Sequence, residues 1–121
     1  MNKLKRITIA DDDAGILDAV SMMLEMEGYE VEATLNGNTI INESIDVLDV
    51  YILDIWMSGS DGRELCKKLK SQEKTKNIPV ILISASNDLK GSAEFAGADD
   101  FLAKPFEIDM LLSKIEKALH H

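Results

Sequence analysis

Val50-Tyr-Ile-Leu-Asp54 decides the fold. Four apolar residues in a row leave no polar side of the pleat, so a strand made of them is buried on both faces, the habit of a parallel sheet covered by helices. Val80-Ile-Leu-Ile83 repeats the pattern. Both runs end on polar residues, Asp54 and Ser84, and Asp54 is followed by the only tryptophan, Trp56, and a glycine-containing loop, Ser58-Gly-Ser-Asp-Gly62.

Working outward from these central strands, Ile7-Thr-Ile-Ala10 before Asp11-Asp-Asp13 reads as the first strand. Ile16, Leu17, Val20, Met23 and Leu24 mark one face of a first helix, stopped by Gly28. Tyr29 to Thr34 alternates apolar with polar, which predicts a strand with one solvated face at a sheet edge. Ile40, Ile41 and Ile45 indicate a second helix, and Leu65, Cys66 and Leu69 a third. Asn77-Ile-Pro79 leads into the strand at Val80. A short helix is expected from about Asp88 to Ala96, then a strand at Phe101-Leu-Ala103. Ile108, Leu111, Leu112, Ile115 and Leu119 complete an amphipathic helix. Five alternating β/α units are too few for an eight-fold barrel. The expected fold is α/β: a doubly wound five-stranded parallel sheet, flavodoxin-like, with strand order 2-1-3-4-5. Ligands of such sheets bind beyond the carboxyl ends of the strands.

The 121 residues fit one domain, expected over residues 1–119, and His120-His121 reads as the start of a purification tag. Apolar residues at 45% and charged residues at 29% are those of a globular protein, and a net charge of −9 disfavours a nucleic-acid surface while favouring cations or basic partners. No apolar run approaches the roughly 20 residues of a membrane span, so a cytoplasmic protein with no membrane association is expected. One cysteine, Cys66, excludes an intrachain disulfide and is expected in the core.

The strand ends gather Asp11, Asp12 and Asp13, then Asp54, Ser84-Ala85 and Lys104-Pro105. Asp13 is expected to cap the first helix. For the others a merely structural role is a poor account, because crowded carboxylates repel unless a cation neutralises them. Oxygen ligands with open positions suit Mg²⁺ together with a phosphate. Asp54 is ionised at neutral pH and needs no general base to attack phosphorus. The cation, Lys104 and the Ser84 hydroxyl would each serve one phosphoryl oxygen.

These residues resemble the receiver domain of two-component response regulators, from Leu4 to about Leu119. The resemblance rests on Asp11-Asp12 after the first strand, Asp54 ending the third, Ser84-Ala85 after the fourth and Lys104-Pro-Phe106 after the fifth, with Gly97-Ala-Asp-Asp-Phe101 also family-like. It implies that Asp54 is the phosphoacceptor. Asp12 would bind Mg²⁺ directly, Asp11 through water, and the Trp56 backbone carbonyl would be a third protein ligand alongside Asp54. Ser84 and Lys104 would hold the phosphoryl oxygens, and Ser84 with Phe101 would form the conformational switch. For Phe101 the residues alone indicate a core aromatic, and only the resemblance makes it a switch. The implied partner is a sensor histidine kinase or a histidine phosphotransfer protein. The chain would not be an enzyme beyond catalysing its own phosphorylation and dephosphorylation, and no dimer mode is assigned.

The chain departs from the family pattern at Ser58 and Ser60, where a proline and an apolar residue are usual, so a looser loop is expected. The stretch between Ala85 and Gly97 is short for the family, which implies a short helix there. Trp56 and Ser86 would flank the approach of water to the phosphoryl group. Two rivals remain: an aspartate-nucleophile phosphohydrolase using Asp11 and Asp13, and a phosphorylation-independent interaction module. The hydrolase pattern fails at Gly15 and lacks an acidic pair after the lysine. The interaction module does not account for all five pocket positions, Asp11, Asp12, Asp54, Ser84 and Lys104.

Overall fold

The computed structural model describes residues 5–36, 49–57, 60–85 and 89–120. Seven strands are described: β1 (Arg6–Ala10), β2 (Glu30–Thr34), β3 (Val50–Asp54), β4 (Trp56–Met57), β5 (Ser60–Asp61), β6 (Val80–Ser84) and β7 (Asp100–Ala103). Four described helices accompany them: α1 (Ala14–Met26), α2 (Gly62–Ser71), α3 (Leu89–Ala96) and α4 (Ile108–Leu119). The helix expected around Ile40, Ile41 and Ile45 lies outside the described residues, as do Ser58 and Ser86.

Five strands pair in parallel in the order β2-β1-β3-β6-β7, which is the expected 2-1-3-4-5 arrangement. Every residue of β3 and β6 is buried, as their continuous apolar runs require. β2 takes the edge and leaves Glu30 and Glu32 exposed. Alternation along β3 divides the core into two layers. Tyr51 and Leu53 pack with Leu65, Cys66 and Leu69 of α2 on one face. Val50 and Ile52 pack with Leu17 and Leu24 of α1 and with Ile115 of α4 on the other. Each fully buried Leu or Ile contributes roughly 1.5–3 kcal/mol, so these two layers dominate the stability.

The helix ends show how the chain turns. Asp13 caps α1 by accepting from the Ile16 N–H at 3.1 Å, as expected. At the other end the capping residue is Glu27, and Gly28 follows it with φ of 95°, a left-handed conformation that favours glycine. Gly28 N–H bonds the Glu25 carbonyl at 3.0 Å and Tyr29 N–H bonds that of Leu24 at 3.1 Å, the paired bonds of a Schellman motif. The eight-residue α3 is short, in line with the shortened sequence before Gly97. Among the described residues no helix is long and apolar enough to cross a membrane.

Correct register brings distant residues to one edge. Ala10 pairs with Leu53, Asp54 with Ile83, and Ser84 with Ala103. Asp11, Asp54, Ser84 and Lys104 therefore all stand at the carboxyl end of the sheet.

Candidate functional site

Asp11 follows β1 and is fully buried, Asp54 ends β3 and is 5% exposed, and Asp12 is exposed. One carboxylate oxygen from each of the three lies within 4.8 Å of the others. Lys104 Nζ reaches into this group, 2.7 Å from Asp11 Oδ2 and 3.2 Å from Asp54 Oδ2. Its backbone N–H donates to the Ser84 carbonyl at 2.9 Å, which ties the lysine to the end of β6. Asp11 Oδ1 accepts from the Asp13 N–H at 2.9 Å, so both Asp11 oxygens are engaged within the protein.

Lys104 does not fully offset the burial and repulsion felt by Asp54. Burial and the neighbouring Asp11 push the Asp54 carboxyl up from 3.8 to about 6, against the opposing pull of Lys104 and of a hydrogen bond from the Trp56 backbone N–H. Burial works against the charge on Lys104, but its bonds to Asp11 and Asp54 outweigh burial and hold its pKa above the ordinary value. Three converging carboxylates with no nitrogen or sulfur donor form a hard, oxygen-only set, which fits a divalent cation such as Mg²⁺. Asp13 is not among them. It is spent on the α1 cap, which leaves the hydrolase pairing of Asp11 with Asp13 without a structural basis.

Ser84 is fully buried at the end of β6, beside the β7 strand that leads to Lys104. Phe101 pairs with Leu82 and is half-buried against the Tyr51–Leu53 layer. Lys114 Nζ lies 2.9 Å from Asp100 Oδ1 and 5.8 Å from the centroid of the Phe101 ring. Cys66 is buried, as expected.

The looser loop expected from Ser58 and Ser60 falls in part outside the described residues, and β4 and β5 flank it. β4 and β5 form an antiparallel hairpin with Trp56 opposite Asp61 and Met57 opposite Ser60. Asp61 then caps α2, accepting from the Arg63 N–H at 2.9 Å, and grips the same guanidinium through Nε at 3.1 Å and Nη2 at 2.7 Å. This pair holds the Asp61 carboxyl below its ordinary pKa, chiefly through the Arg63 side-chain bond. The guanidinium lies over the Trp56 ring, 4.6 Å from Cζ to the centroid. Gly62 packs so closely on the Asp54 carbonyl that no Cβ would fit. Asp61, Gly62 and Arg63 escaped the sequence reading, although Asp61 before Gly-Arg-Glu carries a helix N-cap signal.

A carboxylate cluster with Lys104, at the carboxyl edge of a doubly wound sheet, fits a divalent cation. The chain belongs to the response regulator receiver domain family, which matches residues 7–116. It is 35% identical to the DNA-binding dual master transcriptional regulator RpaA of Synechocystis sp. over 121 residues, 96% of this chain and 49% of that one. The chain spans about half the length of the curated relatives it matches. A CheY-like response regulator receiver domain protein of Methanospirillum hungatei superimposes with a TM-score of 0.87 at 32% identity, covering 97% of this chain and 94% of that one. The response regulator TrrA of Thermotoga maritima, in complex with Mg²⁺–BeF, does so with a TM-score of 0.84 at 31% identity, covering 96% and 100%.

Proposed function

We propose that Asp54 accepts a phosphoryl group from a phosphohistidine, carried by a sensor histidine kinase or a histidine phosphotransfer protein, in a Mg²⁺-dependent reaction that switches the domain to regulate an output partner. The observation that carries this reading is the single Lys104 ammonium bridging two buried carboxylates, Asp11 and Asp54, within reach of Asp12. An Asp54 oxygen attacks phosphorus, and the P–N bond breaks with its electron pair returning to the imidazole. Lys104 leaves part of its contact with Asp54 to meet a phosphoryl oxygen, and the Ser84 hydroxyl serves another. Asp12, Asp54 and the Trp56 carbonyl would hold Mg²⁺ directly and Asp11 through water; when bound, the ion supplies positive charge to the transferring group.

Phosphorylation adds about −1.5 to −2 charge. Ser84 follows the new oxygens, and Phe101, half-buried on β7 three residues before Lys104, turns with it. An apolar groove of about 450 Å³ beside the site, lined by Ile16, Val20, Met23, Pro105 and Ile108, offers a surface for the donor protein. The chemistry is confined to the domain's own phosphorylation and dephosphorylation, in the cytoplasm.

Incubation with Mg²⁺ and acetyl phosphate, followed by intact mass, tests the reading. A phosphoryl increment is expected on the wild type and none on Asp54→Ala. An adduct on Asp11 would revive the hydrolase, and Mg²⁺ binding with no adduct would favour the interaction module.

A further inference from the structure

Trp56 is 54% exposed, so the core does little to fix its ring. What fixes it is Arg63: the guanidinium lies over the ring at 4.6 Å, and Asp61 grips that guanidinium by two side-chain bonds of 3.1 and 2.7 Å. The hairpin closes the circuit, because Trp56 and Asp61 are cross-strand partners. Gly62 N–H then bonds the Ile55 carbonyl at 2.8 Å, anchoring the start of α2 to the residue after Asp54. From Arg63 the contacts run through the ring to the Trp56 backbone, two residues beyond the candidate nucleophile.

We infer that Asp61 and Arg63 are positioning residues for phosphoryl acceptance, forming a brace that holds the Trp56 ring and, through it, the backbone beside Asp54. The inference rests on the reading of Asp54 as phosphoacceptor. Arginine suits this task better than lysine, since its planar fork binds a carboxylate at two points while its face stacks on an aromatic ring. A stacked cation at an exposed site is a weak contact, so its loss should slow a geometry-sensitive step by about two- to five-fold rather than abolish it. The effect should fall on the maximal rate. Asp61 and Arg63 are not among the groups proposed to meet the phosphoryl oxygens, Lys104 and Ser84, so the half-saturating donor concentration should not change.

The test compares wild type with Arg63→Ala, Arg63→Lys and Asp61→Asn, the last of which keeps an N-cap for α2 while removing the charge. In the metal-free proteins, Trp56 emission anisotropy and acrylamide quenching report the ring. With Mg²⁺ and acetyl phosphate, labelling is then followed over a range of donor concentrations. All three variants should show a looser Trp56 and a maximal labelling rate about two- to five-fold lower, with an unchanged half-saturating donor concentration and a near-wild-type urea midpoint. Wild-type anisotropy or a wild-type rate in Arg63→Ala overturns the brace, as does full retention by Arg63→Lys. If the wild type is labelled on Asp54 and the variants match it, the brace alone fails. No label on the wild type removes the phosphoacceptor reading and the brace together.

Discussion

The ammonium of Lys104 lies 2.7 Å from Asp11 Oδ2, joining residues 93 positions apart in the chain. The same nitrogen reaches Asp54, and Asp12 brings a third carboxylate into the cluster. Burial and the neighbouring Asp11 make Asp54 costly to ionise in the metal-free site.

The first prediction concerns pH. Asp54 ionises near 3.8 in the unfolded chain and at about 6 in the native protein, so near pH 3 it is neutral in both states and nothing is lost. As pH rises through about 6 the fold must carry a charge it disfavours, and the stability associated with the neutral form disappears. Asp54→Asn should therefore be more stable than metal-free wild type at pH 7.5, by on the order of 1–3 kcal/mol, with the gap closing towards pH 4. Mg²⁺ should stabilise the wild type and do much less for the variant. Urea unfolding with and without EDTA measures this, and a less stable variant at pH 7.5 without metal would contradict it.

Gly62 has no room for a side chain against the Asp54 backbone, whereas a Cβ on Gly15 would meet only Asp13 Oδ1 at 3.4 Å. Gly62→Ala should cost about 1–3 kcal/mol and reduce labelling of Asp54, because the backbone carrying the nucleophile must shift. Gly15→Ala, inside α1, should be neutral or stabilising by up to about 1 kcal/mol. Equal effects at the two glycines would show that the close approach is unimportant.

Cys66 should be inert in the native protein. Burial pushes its thiol up to about 11, and the reactive thiolate is scarce at pH 8. Reaction with a chromogenic disulfide should wait for unfolding and accelerate with urea in step with the loss of helical circular dichroism. Rapid modification of the folded protein would refute the buried placement.

Asp99 is expected to matter more than an ordinary surface acid. Its Oδ2 accepts from Lys70 Nζ at 2.6 Å and from the Val80 N–H at 2.8 Å, tying α2 to the first residue of β6. Asp99→Ala should cost about 1–2 kcal/mol in urea unfolding. Glu73→Ala, which breaks an exposed pair with Lys76 within one turn, should cost no more than about 0.5 kcal/mol. A reversed ranking would indicate that the Asp99 contacts do not hold β6.

Much of the fold was legible because its signals are local. The apolar runs 50–53 and 80–83 required burial on both faces, and the alternation in 29–34 required an edge. Polar residues closing successive strands of a parallel sheet must share one edge, so strand pattern and chain order group Asp11, Asp54, Ser84 and Lys104. Asp13 as a cap was legible for the same reason: capping is set by neighbours in the chain.

What tertiary structure alone decided depends on distances between elements. That Lys104 bonds Asp11 more closely than Asp54, and that burial with Asp11 lifts Asp54 to about 6, follows from how β1, β3 and β7 converge. The hairpin after Asp54 and the Arg63–Trp56 stack were invisible because two-residue strands carry no periodicity and a cation–ring contact leaves no spacing rule. Sequence determined which groups stand at the sheet's carboxyl edge, since strand pattern and chain order fix that. Packing determined their charge state, their partners and the bracing of Trp56, since those depend on separations of a few ångströms and on the exclusion of water.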